Sequence, residues 1–208
     1  MTNHVDVLVN NAGTVSSRFM TSEDGIELQF AVNHLAPFLL THELLPLILA
    51  APHGKIITVS SGSHFGARLN FSDLQMRRRY SSLGQYRRVK LCNVLFTAEL
   101  NRRLAPDSPA RAYAVDPGLV QTDIGLKGTS GIERFAWKLH MKSGTTPDVP
   151  AACILYLATD QSIPARDCIY WRDSKPKSPN PYAMDEDAGK LLWEASERYC
   201  RIAGNDKS

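Results

Sequence analysis

Three short runs of apolar and β-branched residues, Val5 to Val9, Lys55 to Ser60 and Ala110 to Val115, each stop at a polar corner. The corners are Asn10-Asn11-Ala12-Gly13, Ser60-Ser61-Gly62 and Asp116-Pro117-Gly118. A run that is apolar without alternation is a strand covered on both faces, so layers must lie above and below it. The stretches between the runs carry apolar residues at helical rather than alternating spacing. The expected class is therefore α/β, a doubly wound parallel sheet. In such sheets ligands sit at the carboxyl ends of the strands, which is where the three corners fall.

The remaining elements follow the same logic. A helix is expected after the first corner: Thr21 or Ser22 offers a cap, Glu23 and Asp24 suit its first turn, and apolar residues recur from Ile26 to Leu49. Pro37 and Pro46 are expected to kink or interrupt it. A second helix is expected from about Ser82 to Leu104, after an irregular polar stretch from His64 to Tyr80. Thr146-Pro147-Asp148 opens a third, with threonine as cap and proline in the first turn. A short strand at Cys168 to Trp171 and a final amphipathic helix from about Asp185 to Tyr199 complete the pattern.

A length of 208 residues fits one domain, 1–208, with room for a real core. The formal net charge is +3, from 24 basic and 21 acidic residues, so nothing in the balance calls for a polyanion and no nucleic-acid partner is expected. Arg77-Arg78-Arg79 and Arg87-Arg88 read as solvated surface. Cys92, Cys153, Cys168 and Cys200 form neither a C-x-x-C pair nor a cluster with histidine, so neither zinc nor a disulfide framework is expected. The first residues lack the basic-then-apolar pattern of a signal peptide. The most apolar stretch, Phe38 to Ala51, is broken by His42, Glu43 and Pro46, so no membrane span and a soluble chain are expected.

The stretch GQYRRVKLCNVLF, Gly84 to Phe96, carries the chemistry. An ordinary phenol, with a pKa of about 10, is a poor proton donor or acceptor near neutrality. Tyr86 and Lys90 stand one helical turn apart and share a face, and a nearby ammonium stabilises a phenolate. Ser61, at the end of the preceding strand, is placed to hold a substrate oxygen beside the tyrosine. Each feature alone has an ordinary reading as helix surface or strand end.

Taken in order, the apolar strand with Asn11-Ala12-Gly13, Asn33 in NHLAPF, ITVSSGS, Tyr86-x-x-x-Lys90 and DPGLVQTD resemble the short-chain dehydrogenase/reductase family. LNFSDLQ, KLCNVLFTAELNRRL and SPNPYAMDEDAGKLLWEAS resemble its retinol-dehydrogenase-like branch. The resemblance implies a Rossmann-like fold and an oxidoreductase that uses NADP or NAD to interconvert an alcohol and a carbonyl on a lipophilic small molecule. It implies that Tyr86 is the acid/base, that Lys90 lowers its pKa and holds the nicotinamide ribose, that Ser61 polarises the substrate oxygen, and that Asn33 supports a water-linked proton path. Asn11, Ala12 and Gly13 would lie along the adenosine side of the cofactor, and Pro117, Gly118, Val120 and Thr122 against the nicotinamide. Ile124, Leu126, Ile132, Phe135 and Trp137 would cover the pocket or simply pack. Val89 before the lysine and Arg87 and Arg88 after the tyrosine depart from the family's usual residues.

A second departure lies at the front. The family's fold begins with a strand, a glycine-rich turn and a helix whose amino terminus holds the pyrophosphate. No G-x-x-x-G-x-G stretch follows a strand in this sequence. The reading is therefore of an amino-terminally truncated domain whose first strand, VDVLV, becomes an edge open to pairing. A fragment, an alternative product and a naturally shortened protein all satisfy it, as does a catalytically silent chain that associates with other proteins. The associations allowed include a homo-oligomer through the two long helices. The expected location is cytoplasmic or at the cytosolic face of an intracellular membrane.

Overall fold

A computed structural model of the chain describes residues 3–120, 144–163 and 168–202. Its sheet has five strands in the order β1-β2-β3-β4-β5: Val7–Asn10, Lys55–Val59, Arg111–Val115, Tyr170–Arg172 and Lys175–Pro176. The first four run parallel and β5 returns antiparallel to β4. Val9 pairs with Ile57 and Ile57 with Tyr113, which brings the three polar corners level along one end of the sheet.

Side chains of one strand alternate between two cores. Leu8, Ile56, Ala112 and Ala114 face the helices α1, Leu28–Leu49, α2, Ser82–Arg103, and α4, Glu186–Cys200. Ile57, Tyr113, Val115 and Trp171 face α3, Asp148–Thr159, through its Cys153 and Leu157. Helices on both faces explain why β2 is buried at all five positions, and they bear out the doubly wound expectation. Among the described strands β1 lies at one edge, with Val9 40% exposed.

Helix α1 differs from the expectation in two ways. It begins at Leu28 instead of soon after Ser22, and its cap is Glu27, whose carboxylate accepts from the N–H groups of Gln29 and Phe30. Tyr80 and Gln85 also donate to that buried carboxylate, so the start of α1 is fixed by residues more than fifty positions away. Nor do the prolines break it. A π turn at Ala31–Leu35, with the Ala36 N–H reaching the Ala31 carbonyl, widens the helix just before Pro37 and accommodates its missing donor.

With 22 residues, α1 is also long and apolar enough to cross a membrane by length and composition alone, although the sequence reading discounted it. In the fold its Phe30, Leu35, Phe38 and Ile48 pack into the core. Smaller differences concern α3, which starts at Asp148 with Pro147 as an N-cap that makes no side-chain cap, and β4, which lies two residues later than expected. The final helix forms where expected, and Asp185 caps it by accepting from the Ala188 N–H.

Candidate active site

The site forms where β2 ends and α2 begins. Ser81 caps α2 by accepting the Gly84 N–H at 3.2 Å, which aims its first turn at the end of β2. Most of the helix is buried from Val89 to Asn101, so its rotation about its own axis is fixed by packing. That rotation turns Tyr86 and Lys90 inward and leaves Arg87 exposed.

The Ser61 side chain lies close enough to the Tyr86 phenol to act on its titration. Burial holds the phenol above its ordinary pKa; the Ser61 bond pulls it down and the nearby Asp116 carboxylate pushes it up. Lys90 is buried, with Nζ 5.7 Å from the centroid of the Tyr86 ring. Burial lowers its pKa to about 8, so the ammonium is the main form at neutral pH. Nζ donates to the Val59 carbonyl at 3.0 Å, and Asn93 Nδ2 donates to the same oxygen at 3.2 Å. An ammonium has three donors, and Lys90 therefore keeps others for a ligand hydroxyl. Backbone ties strengthen the arrangement: Ser60 Oγ donates to the Lys90 carbonyl at 2.7 Å, joining strand end to helix directly.

Asn33 lies in the π turn and is fully buried, but its amide works on the first corner. Its Oδ1 accepts from the Thr14 N–H at 2.7 Å, and its Nδ2 donates to the Thr14 carbonyl at 2.8 Å. Pro37 stands four residues on and has no N–H, so the Asn33 carbonyl lacks its regular helical donor. Asn10, just before the corner, holds β1 in place by donating to Thr41 and Thr58. Asn11 and Ala12 are exposed beyond it, and Gly13 is half-buried.

At the third corner Asp116 is buried, accepts from the Gly118 N–H at 2.9 Å and faces Arg172 at 3.5 Å. Gly118 has a φ of +69°, a conformation that favours glycine, and Pro117 and Gly118 are half-buried beside it. Gly62 packs closely on the same residue: a Cβ there would stand 3.0 Å from the Asp116 carboxylate. Val120 bridges to Thr145, which carries the chain away from the corner. Thr122 and the expected pocket cover at Ile124, Leu126, Ile132, Phe135 and Trp137 lie outside the described residues.

Ser61, Tyr86 and Lys90 thus come together, while Asn11 to Gly13 and Pro117 to Val120 form the rims of the neighbouring corners. The sequence reading missed Asn93, Asp116, His64 and Asn180, all of which act on these residues. Asn93, one turn past Lys90 on the same face, was the most legible of them. These residues suit the nicotinamide end of a dinucleotide, because buried Lys90 keeps donors that the protein does not use. A glycine-rich pyrophosphate cradle is not among them. No group of three or more potential metal ligands occurs among the described residues.

Residues 1–131 match the family described as short chain dehydrogenase. The chain belongs to that family. It is similar to human retinol dehydrogenase 13, 36% identical over 199 residues covering 93% of this chain and 60% of that protein. Human retinol dehydrogenase 14 is also 36% identical, over 93% of this chain and 58% of that protein. The chain therefore spans about three fifths of the length of these curated relatives. Among solved structures it resembles an uncharacterized protein from Mycobacterium paratuberculosis, with a TM-score of 0.68, 33% identity and coverage of 96% of this chain and 68% of that one. An NADPH-bound carbonyl reductase from chicken fatty liver shares the fold, with a TM-score of 0.53 and 22% identity over 83% of this chain and 64% of that one.

Proposed function

We propose that these residues form the proton-transfer half of an NAD(P)-dependent oxidoreductase site that interconverts an alcohol and a carbonyl. The observation that carries the reading is the buried Lys90 ammonium 5.7 Å from the centroid of the Tyr86 ring, with the Ser61 side chain beside the phenol.

Burial keeps Tyr86 a neutral phenol, so in the oxidative direction it must first lose its proton; as phenolate it then takes the proton of the substrate hydroxyl while the carbinol carbon gives up a hydride. A bound nicotinamide supplies the hydride acceptor, or the donor in reverse. Ser61 donates to the substrate oxygen and keeps it within reach of the phenol. Lys90 places a positive charge below the ring and offers its remaining N–H groups to ribose hydroxyls. Asn33 fixes the Asn11–Gly13 rim through Thr14. In the reductive direction Tyr86 returns the proton to the oxygen of the nascent alcohol, so one proton and one hydride balance in each turnover.

A lipophilic, retinoid-like substrate is supported by the similarity to proteins named retinol dehydrogenases. NADP is favoured slightly over NAD, since a protein of the same fold was solved with NADPH. The test is loss of NADPH or NADH absorbance with retinal and with a short aldehyde, for the wild type and Tyr86→Phe. Reduction of retinal that disappears in Tyr86→Phe supports the reading. Equal turnover by the two proteins would overturn it.

A further inference from the structure

We propose that His64 is a positioning residue: its neutral imidazole, spanning the Ser61 carbonyl and the Asn180 N–H, fixes where the Ser61 hydroxyl stands beside Tyr86. This rests on the reading of Ser61 and Tyr86 as the proton-transfer pair.

The geometry leaves the ring a single state. Nε2 lies 3.0 Å from the backbone nitrogen of Asn180, which can only donate, so Nε2 must carry a lone pair. The proton is then on Nδ1, 2.8 Å from the Ser61 carbonyl, which can only accept. A ring flip would put carbon atoms at both contacts and lose both bonds. The ring is fully buried, 4.3 Å from the Phe65 ring and 4.9 Å from the Tyr170 ring, centroid to centroid. Burial also lowers its pKa, against the opposing pull of the Ser61 carbonyl and Asp116, so neutrality persists at physiological pH.

Two further sets of bonds make this ring matter for the serine. Asn180 Nδ2 lies 3.2 Å from the His64 and Phe65 carbonyls and 3.3 Å from the Ala67 carbonyl, locking the 3-10 turn Gly62–Gly66 to the SPNPY segment. Ser61 caps that same turn, with its Oγ accepting the Ser63 N–H at 3.2 Å, and its carbonyl takes the His64 backbone N–H at 3.1 Å besides the ring. With carbonyl and Oγ acceptor both held, the hydroxyl proton is left to point at Tyr86 or at a substrate oxygen. A segment far along the chain thus sets the placement of the serine, and small misplacement of a reacting group is costly.

His64→Asn and His64→Gln separate the two contacts of the ring. The Asn amide sits where Nδ1 was and retains the bond to Ser61; the Gln amide sits where Nε2 was and retains the bond to Asn180. Aldehyde reduction is measured for both in the 208-residue protein, with backbone amide exchange at Ser63 and ¹⁵N spectra of the histidine ring. The expected result is that His64→Asn stays within about 10-fold of wild-type kcat whereas His64→Gln loses about 100-fold, with KM for NADPH unchanged in both. Ser63 amide protection should survive in His64→Asn and fall in His64→Gln, and the wild-type ring should show the Nδ1–H neutral form at neutral pH. Equal losses in the two variants, no loss in either, or a wild-type ring in the Nε2–H form would overturn the proposal. A wild type without turnover would count against the proton-transfer reading alone, because the amide exchange and ring spectra still decide the clamp.

Discussion

The two halves of the site are built differently. Ser61, Tyr86 and Lys90 sit on a strand end and a helix whose polar groups find partners within the chain: Val59 for Lys90, Lys90 for Ser60, His64 for Ser61. The rim at Asn11 to Gly13 is largely exposed and held at its foot, where Thr14 meets Asn33. Buried polar groups must be satisfied by the protein itself, so their geometry is fixed before any ligand arrives. Exposed backbone at a strand end is satisfied by water and exchanges water for ligand. The reacting half is therefore preorganised, and the nucleotide rim is completed by what binds to it.

The most severe way to break this contrast is to remove the groups that exchange the proton. Tyr86→Phe should lower kcat/KM by about 10²–10⁴-fold while leaving thermal unfolding nearly unchanged. Lys90→Ala should come close to that loss and also raise KM for the cofactor. Arg87 is exposed and Arg88 donates to the Asp73 carbonyl at 3.3 Å, away from the site, so alanine at either should cost far less than at Lys90. A larger loss from Arg87→Ala than from Lys90→Ala in steady-state kinetics would return GQYRRVKLCNVLF to a basic-patch reading.

Acid should weaken the polar layer beneath the site. His34 is buried with Nε2 2.9 Å from Ser196 Oγ, and burial lowers its pKa to about 4, with the Asn93 side chain opposing the shift. Between that value and the ordinary 6.5 the unfolded chain binds a proton that the folded chain refuses. The contribution to stability is complete above pH 6.5 and is lost as pH falls toward 4, about 3 kcal/mol in all from this residue. Urea midpoints measured from pH 7 to 4 should fall accordingly, and more gently in His34→Gln. Midpoints of equal slope in the two proteins would show that His34 is not kept neutral by its site.

Much of this layout is legible in the sequence, for a physical reason. Strands buried on both faces must be apolar without alternation, so KIITVS and ARAYAV announce themselves, and the corners follow at their carboxyl ends. Tyr86 and Lys90 are legible because four residues make one turn of any helix. The start of α1 was not, since Glu27 caps it only with help from Tyr80 and Gln85, which local spacing does not reveal. Pro37 misled for the opposite reason: the rule against proline assumes an α-helical ladder, and a π turn escapes it. His64 and Asn180, 116 positions apart, are joined only by tertiary structure.

Asn33 holds the foot of the rim through Thr14, so its truncation should sharpen the contrast more gently. Asn33→Ala leaves the Thr14 N–H and carbonyl without their partner, a cost of about 1–3 kcal/mol if both stay buried. Exposure of the loosened rim to water should reduce that figure. The effect should fall mainly on KM for the cofactor, with kcat changing less, because the Ser61–Tyr86 pair makes no bond to the Asn33 side chain. A fall in kcat with KM unchanged would move Asn33 from the rim to the reacting half.

The smallest expected effect is that of cofactor on the thermal stability of residues 1–208. A ligand that binds only the folded state stabilises it by RT ln(1 + [L]/Kd), about 0.4 kcal/mol when its concentration equals Kd. The described residues offer donors to a nicotinamide ribose through Lys90, but no glycine-rich turn that would cradle a pyrophosphate is among them. The anionic centre of a dinucleotide normally contributes much of its polar contact, through free N–H groups at a helix terminus. Excess NADPH should therefore raise the unfolding temperature of the 208-residue protein by no more than a degree or two, about 0.5 kcal/mol for a domain of this size. Lys90→Ala should abolish even that rise, since it removes the buried ammonium proposed to hold the ribose. A rise of many degrees that survives Lys90→Ala would mean that the exposed rim, not the preorganised half, carries cofactor affinity.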